Sequence, residues 1–307
     1  MSVREAFAGC RTPADFYKVQ IALENLATPL EVRRLVGGFD QVPEPARQWL
    51  RNMDTMMNAA GAPTQGFMRT NLGDHLTLFK SGRNDGERKR LLVSFSGVYP
   101  YRPLGIPTPV FLQHVPAERF DVILLRDPKQ VFYLKGIPGY ADDIAGVAGR
   151  LREFSVNGRY RSIRSIGMSA GGFAALVAGA LAGADCAVGF CCLHPTSERH
   201  LPRVLAAGLD GFELDRALQR RPAGSTPKTM LLFGAGNQSD RDGASALGRM
   251  FPQAKIVEVA GVSSHHLPYE LLKQGLLRWV VDQAFLDGFD ARFLSDDSTP
   301  NSREARR

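Results

Sequence analysis

The chain has 307 residues, 44% hydrophobic and 22% charged, which allows a large buried core and excludes a fibrous or wholly disordered protein. A formal net charge of +7 and a pI near 9.4 come from dispersed arginines, and no basic run is interleaved with aromatics, which argues against a nucleic-acid surface. Cys10, Cys186, Cys191 and Cys192 show neither metal spacing nor a disulfide framework, the N-terminus lacks a cleavable signal pattern, and no apolar run nears membrane-spanning length, so the expectation is a cytoplasmic chain without stable membrane insertion.

Residues 12–60 read as helical. Thr12-Pro13 offers an N-cap followed by proline, and Phe16, Val19, Leu23 and Leu26 recur at helical spacing. Pro29 starts a second helix that Gly37-Gly38 ends, and a third follows Pro43 and Pro45 with Trp49, Met53 and Met56-Met57 as packing residues. This segment, 1–64, is expected to lie against the main body.

Residues 67–70 and 75–80 alternate as strands, and Asn71-Leu72-Gly73-Asp74 reads as the turn of an antiparallel hairpin. From there strand and helix alternate, which implies an α/β fold, a mostly parallel sheet with helices on both faces. Strands are expected at 91–95, 120–125, up to the corner at Ser169, at 187–193, at 229–233 and at 255–259. Helices are expected at 141–154, after Ser169 to about 181, at 244–251 and, as one long element, at 268–286. Residues 202–222 read as helix and loop belonging to a lid. Residues 291–307 are polar and charged and read as a disordered tail.

The chain is organised around Gly167-Met168-Ser169-Ala170-Gly171-Gly172. A serine thrust out of a strand-to-helix corner takes a positive φ, at a cost of about 1–3 kcal/mol, and small neighbours must surround it. The Gly-x-Ser-x-Gly pattern lifts the hydroxyl to where a substrate reaches it. A serine hydroxyl is a poor nucleophile at neutral pH and needs an imidazole to take its proton. The imidazole in turn needs a carboxylate to fix its tautomer. Ligands in such sheets sit beyond the carboxyl ends of the strands, and the residues there are Ser169, then Asp240 or Asp242, then His265 or His266. Ser169 is assigned as nucleophile, His265 as base and then acid, and Asp240 as its orienter. Asp242 reads as the N-cap of the next helix, and His266 as a residue leading into Leu267-Pro268. The oxyanion donors expected are the N–H groups of Ala170 and of Val98, on the Ser96-Gly97-Val98 loop. His194 and Asp127 also end strands. The first is either packed or a pocket residue; the second is either a turn residue paired with an arginine, a support for the corner or a substrate contact. No metal or cofactor motif is visible.

With the corner sequence, Ser96-Gly97 after a strand, Asp240 and the His265-His266 pair, the chain resembles the α/β-hydrolases over roughly residues 65–290. More narrowly it is similar to a set of bacterial hydrolase-like proteins, some of which accompany glycan or capsule biosynthesis. The resemblance implies ester, thioester or amide hydrolysis, or acyl transfer, without a metal. It also implies a small-molecule or glycan ester as substrate. Ser96-Gly97 departs from the family's usual His-Gly. The leading expectation is a serine esterase; an acyltransferase on the same acyl-enzyme and a non-catalytic binder on the same fold stand beside it. Oligomeric state is left open.

Overall fold

A computed structural model of the chain describes residues 7–82, 88–98, 101–157, 159–209 and 226–282. Three helices come first: α1 Pro13–Leu26, α2 Pro29–Gly37 and α3 Glu44–Asn58. The first two begin with capping boxes, Thr12 with Asp15 and Thr28 with Glu31, so that each threonine and acid satisfy an orphan N–H reciprocally. In α3 the buried residues Ala46, Leu50, Met53 and Met57 fall on one face. That face, together with Val32 and Leu35 of α2, belongs to the same apolar cluster as the central sheet.

The sheet has eight strands in the order β1-β2-β4-β3-β5-β6-β7-β8. They are β1 Phe67–Gly73, β2 Leu76–Ser81, β3 Arg90–Phe95, β4 Phe120–Leu125, β5 Ser162–Met168, β6 Cys186–Phe190, β7 Lys228–Gly234 and β8 Lys255–Val259. β1–β2 and β2–β4 pair antiparallel; every other pairing is parallel. β4 and β6 are buried along their whole length and β3 at all but its first residue, as strands covered on both faces must be. This order, with the strand-to-helix corner after β5 at the middle of the sheet, is the α/β-hydrolase fold.

The connecting helices are α4 Thr108–Gln113, α5 Ile144–Val156, α6 Ala170–Ala182, α7 Leu201–Ala206, α8 Gln238–Met250, α9 Leu267–Lys273 and α10 Leu277–Val281. α6 lies across β3, β5 and β6 with every residue buried. Its small residues make the close approach possible: a Cβ on Gly179 would meet the Ser165 hydroxyl at 2.3 Å.

Several boundaries differ from the sequence expectations. β1 runs on through Asn71-Leu72-Gly73, and the turn falls on Asp74-His75; an edge strand facing solvent tolerates the polar residues that read as a turn. A 3-10 turn at Pro103–Gly105 and helix α4 occupy a stretch that carried no assignment. β6 stops at Phe190, because Cys191 turns to φ 46 and gives its N–H to the Leu232 carbonyl at 2.7 Å. The long helix expected at 268–286 is two. Gly275, at φ 72, ends α9 in a Schellman motif, with Leu276 N–H on Leu271 O and Gly275 N–H on Leu272 O. The proposed lid lies largely outside the described residues (210–225), as does the proposed tail at 291–307.

Candidate active site

The corner is built by the absence of side chains. Ser169 has φ 59 and ψ −126, its N–H donates to Phe190 O at 2.9 Å, and its carbonyl accepts from Gly172 N–H at 3.1 Å. A Cβ on Gly167 would stand 2.1 Å from the Gly171 carbonyl oxygen, and one on Gly171 2.2 Å from that of Phe95. On Gly172 it would stand 2.5 Å from the Cys192 sulfur. Three glycines thus let β5, α6, β3 and the turn after β6 converge beneath one serine.

Asp240 lies in the first turn of α8, which begins six residues earlier than expected. Asn237 is its N-cap, with Oδ1 accepting the Asp240 N–H at 3.0 Å, so Asp242 is not the cap. The exposed side of the turn holds Asp242, which accepts from Gln238 at 2.7 Å; the buried side holds Asp240, with 0% exposure. Its Oδ1 lies 2.6 Å from His265 Nδ1. Gly243 allows the approach, since a Cβ there would meet the Cys192 carbonyl oxygen at 2.0 Å. Of the two late histidines, His265 reaches the acid, while His266 stands at the N-terminal end of α9.

Ser169, His265, His266, Val98, Arg102 and Met168 line one cavity of about 160 Å³. Gly97, beside them, would carry a Cβ only 3.3 Å from the Met168 carbonyl oxygen. Ala170 is the first residue of α6, so its N–H has no acceptor within the helix. Among the described residues the Val98 N–H also meets no acceptor.

His194 does not share that cavity. It bonds Thr196 at 2.7 Å, approaches the Met250 sulfur at 3.2 Å, and lines a separate cleft of about 670 Å³ together with Asp242 and Arg249. Asp127 is a loop organiser: its carboxylate accepts the N–H groups of Lys129, Gln130, Val131 and Tyr133 at 2.7–3.1 Å. The loop so held sends the Tyr133 hydroxyl to the carbonyls of Leu125 and Ser96, steadying the turn that leads to Val98.

Two residues escaped sequence reasoning. Cys191 packs under the acid: its Sγ, an Asp240 oxygen and a His265 nitrogen all lie within 4.8 Å of one another, a set of donors able to hold a cation. Two of these residues already bond each other, His265 Nδ1 with Asp240 Oδ1. The Asp240 Oδ2 is buried with no other partner among the described residues, and burial followed by the Asp240 charge pushes the Cys191 thiol well above its ordinary range. Arg102, on the loop after β3, lines the serine cavity and pairs with Glu24 of α1. No sequence signal pointed to either residue; each acquires its role only through tertiary contact.

Neither a protein-family model nor a curated protein matches the chain. Solved structures do. The capsule O-acetyltransferase of Neisseria meningitidis serogroup A is 13% identical over 69% of this chain and 94% of that one, at a TM-score of 0.45. Esterase B from Lactobacillus rhamnosis is 14% identical over 83% and 98%, at 0.44. Est1E from Butyrivibrio proteoclasticus is 10% identical over 71% and 99%, at 0.47. No helix among the described residues is long and apolar enough to cross a membrane.

Proposed function

We propose that the chain is a serine esterase that cleaves a carboxylic ester bearing a short acyl group, through an acyl-enzyme on Ser169. One observation carries the reading. A wholly buried carboxylate, Asp240, holds Nδ1 of His265 at 2.6 Å, and that histidine shares a small cavity with a serine at φ 59. Burying a carboxylate costs desolvation that a hydrogen bond to one imidazole offsets only in part, so such a pair is weak evidence for a stabilising role and points to another purpose. Fixing the tautomer that leaves Nε2 free to accept a proton is such a purpose.

In the first step the Ser169 oxygen attacks the ester carbon while its proton passes to His265 Nε2. Asp240 stabilises the imidazolium. Negative charge gathers on the former carbonyl oxygen, where the N–H groups of Ala170 and Val98 receive it, each worth about 3–4 kcal/mol in comparable sites. The intermediate collapses, His265 returns the proton to the departing alkoxide, and the acyl group remains on Ser169. Water then enters and bonds to the acyl carbon as its proton passes to His265; the bond to the Ser169 oxygen breaks, His265 returns the proton to that oxygen, and the carboxylic acid leaves the free serine. The cavity of about 160 Å³ is smaller than the ~300–1,000 Å³ usual for drug-sized ligands, which favours an acetyl-sized acyl group over a long chain.

Exposure to a fluorophosphonate followed by intact mass tests the reading. One adduct on the wild-type chain and none on Ser169→Ala is the expected result. A wild-type chain left unlabelled would end the reading and favour a binding protein on this fold. Transfer instead of hydrolysis is the second reading, because an open cleft adjoins the cavity and could seat an alcohol in place of water. Comparing free acid with acyl transferred to added alcohols separates the two.

A further inference from the structure

We propose that the cleft between the N-terminal helices and the turn after β3 is the subsite for the alcohol part of the ester, and that it takes a neutral polyhydroxylated group such as a sugar ring. The proposal rests on the esterase reading and adds the ligand class and the role of residues 13–58. The cleft encloses about 620 Å³. It meets the serine cavity at Arg102, Gly105 and His266, which line both, so a group leaving Ser169 passes directly into it.

Its walls specify the chemistry. Glu24 of α1, Asn52 and Thr55 of α3, Arg102, His266 and Tyr269 offer donors and acceptors from several directions. An alkyl chain would leave these groups desolvated and unpaired, at a cost; a polyol would pair with them. The two formal charges cancel, since Arg102 pairs with Glu24, whose other oxygen accepts the Trp49 Nε1–H at 2.9 Å. A neutral ligand therefore suits the cleft better than an anion. The Tyr269 ring, 42% exposed, and Met56 supply flat and apolar surface of the kind that covers the C–H face of a sugar.

The test uses the full chain carrying Ser169→Ala, so that the ester persists, and titrates it with methyl 6-O-acetyl-glucopyranoside and with hexyl acetate. The sugar ester is expected to bind more tightly than hexyl acetate. Adding Asn52→Leu with Thr55→Val, or separately Tyr269→Ala, is expected to weaken its binding at least tenfold. These changes lie on different helices at exposed positions, so a folding failure common to both is not expected, and a thermal melt checks each. Affinity within twofold of the parent in both variants, or tighter binding of hexyl acetate, overturns the proposal. Fluorophosphonate labelling of the same variants with Ser169 restored keeps the two readings apart. Labelling with unchanged sugar binding removes the subsite and spares the serine chemistry. Weakened binding together with an unlabelled wild-type chain leaves a sugar-binding cleft and removes the serine chemistry.

Discussion

The carboxylate of Asp240 and the imidazole of His265 stand 2.6 Å apart although 25 positions separate them, one on the first turn of α8 and the other on the loop after β8. With Asp240 replaced by Asn the imidazole is free to take the wrong tautomer, so kcat should fall roughly ten-thousand-fold. His265→Ala should fall at least about a thousandfold, and His266→Ala less than tenfold, on an aryl acetate. Equal, mild losses in the two histidine variants would place the base elsewhere.

The helix carrying the acid is seated by a missing side chain. Gly243→Ala drives a Cβ to 2.0 Å from the Cys192 carbonyl oxygen, a backbone atom that cannot step aside. A loss of about 2–4 kcal/mol is expected, with activity reduced as Asp240 is displaced. Gly248→Ala, on the same helix, meets only the end of the Ile256 side chain at 3.0 Å and removes a poor helix former. Its expected effect runs from neutral to a gain of about 1 kcal/mol. Denaturant titration of both variants reads the contrast in sign.

The buried thiols should be silent. Cys186 is pushed up to about 12 by burial, and burial also raises Cys191 and Cys192. Cys10 alone among the four is partly accessible. A disulfide reagent should titrate one thiol in the native chain and four in denaturant; rapid reaction of two or more under native conditions would contradict the packing around β6.

Stability should fall on mild acidification. Burial pushes His114 down to about 4, and neither ring nitrogen has a hydrogen-bond partner among the described residues. Between its unfolded pKa near 6.5 and that value the unfolded chain binds the extra proton, so stability declines as pH drops through this window. The full effect is on the order of 3 kcal/mol. His194 and His200, also lowered by burial, act in the same direction. Urea midpoints from pH 7.5 to 4.5 should show the slope, and His114→Phe should flatten it.

The corner was legible in the sequence because only small residues tolerate it, and Gly167, Gly171 and Gly172 are small for reasons the packing makes explicit. The strands were legible where burial on both faces produced apolar runs, as in β3 and β4. Asp240 and His265 were assigned from chain order, with Asp242 set aside as the N-cap of the next helix; that ground was mistaken, since α8 begins at Gln238 with Asn237 as its cap, and what sets the two acids apart is that this start turns Asp240 inward. That start was hidden because Asn237-Gln238-Ser239-Asp240 carries no apolar periodicity; a side-chain cap sets it. Arg102 and Cys191 were hidden more deeply, since nothing local to either marks it.

Three donors from the α/β body, Arg126 and Thr108 on the Asn25 carbonyl and Arg69 on that of Leu26, grip the last turn of α1 at 2.9–3.0 Å. A cut after residue 64 would strand the buried Arg126 guanidinium without one of its acceptors and bare the apolar surface of the body that α3 covers. The smallest piece of this chain that keeps its core covered therefore begins ahead of Pro13, and trimming it to the sheet would yield a sticky fragment.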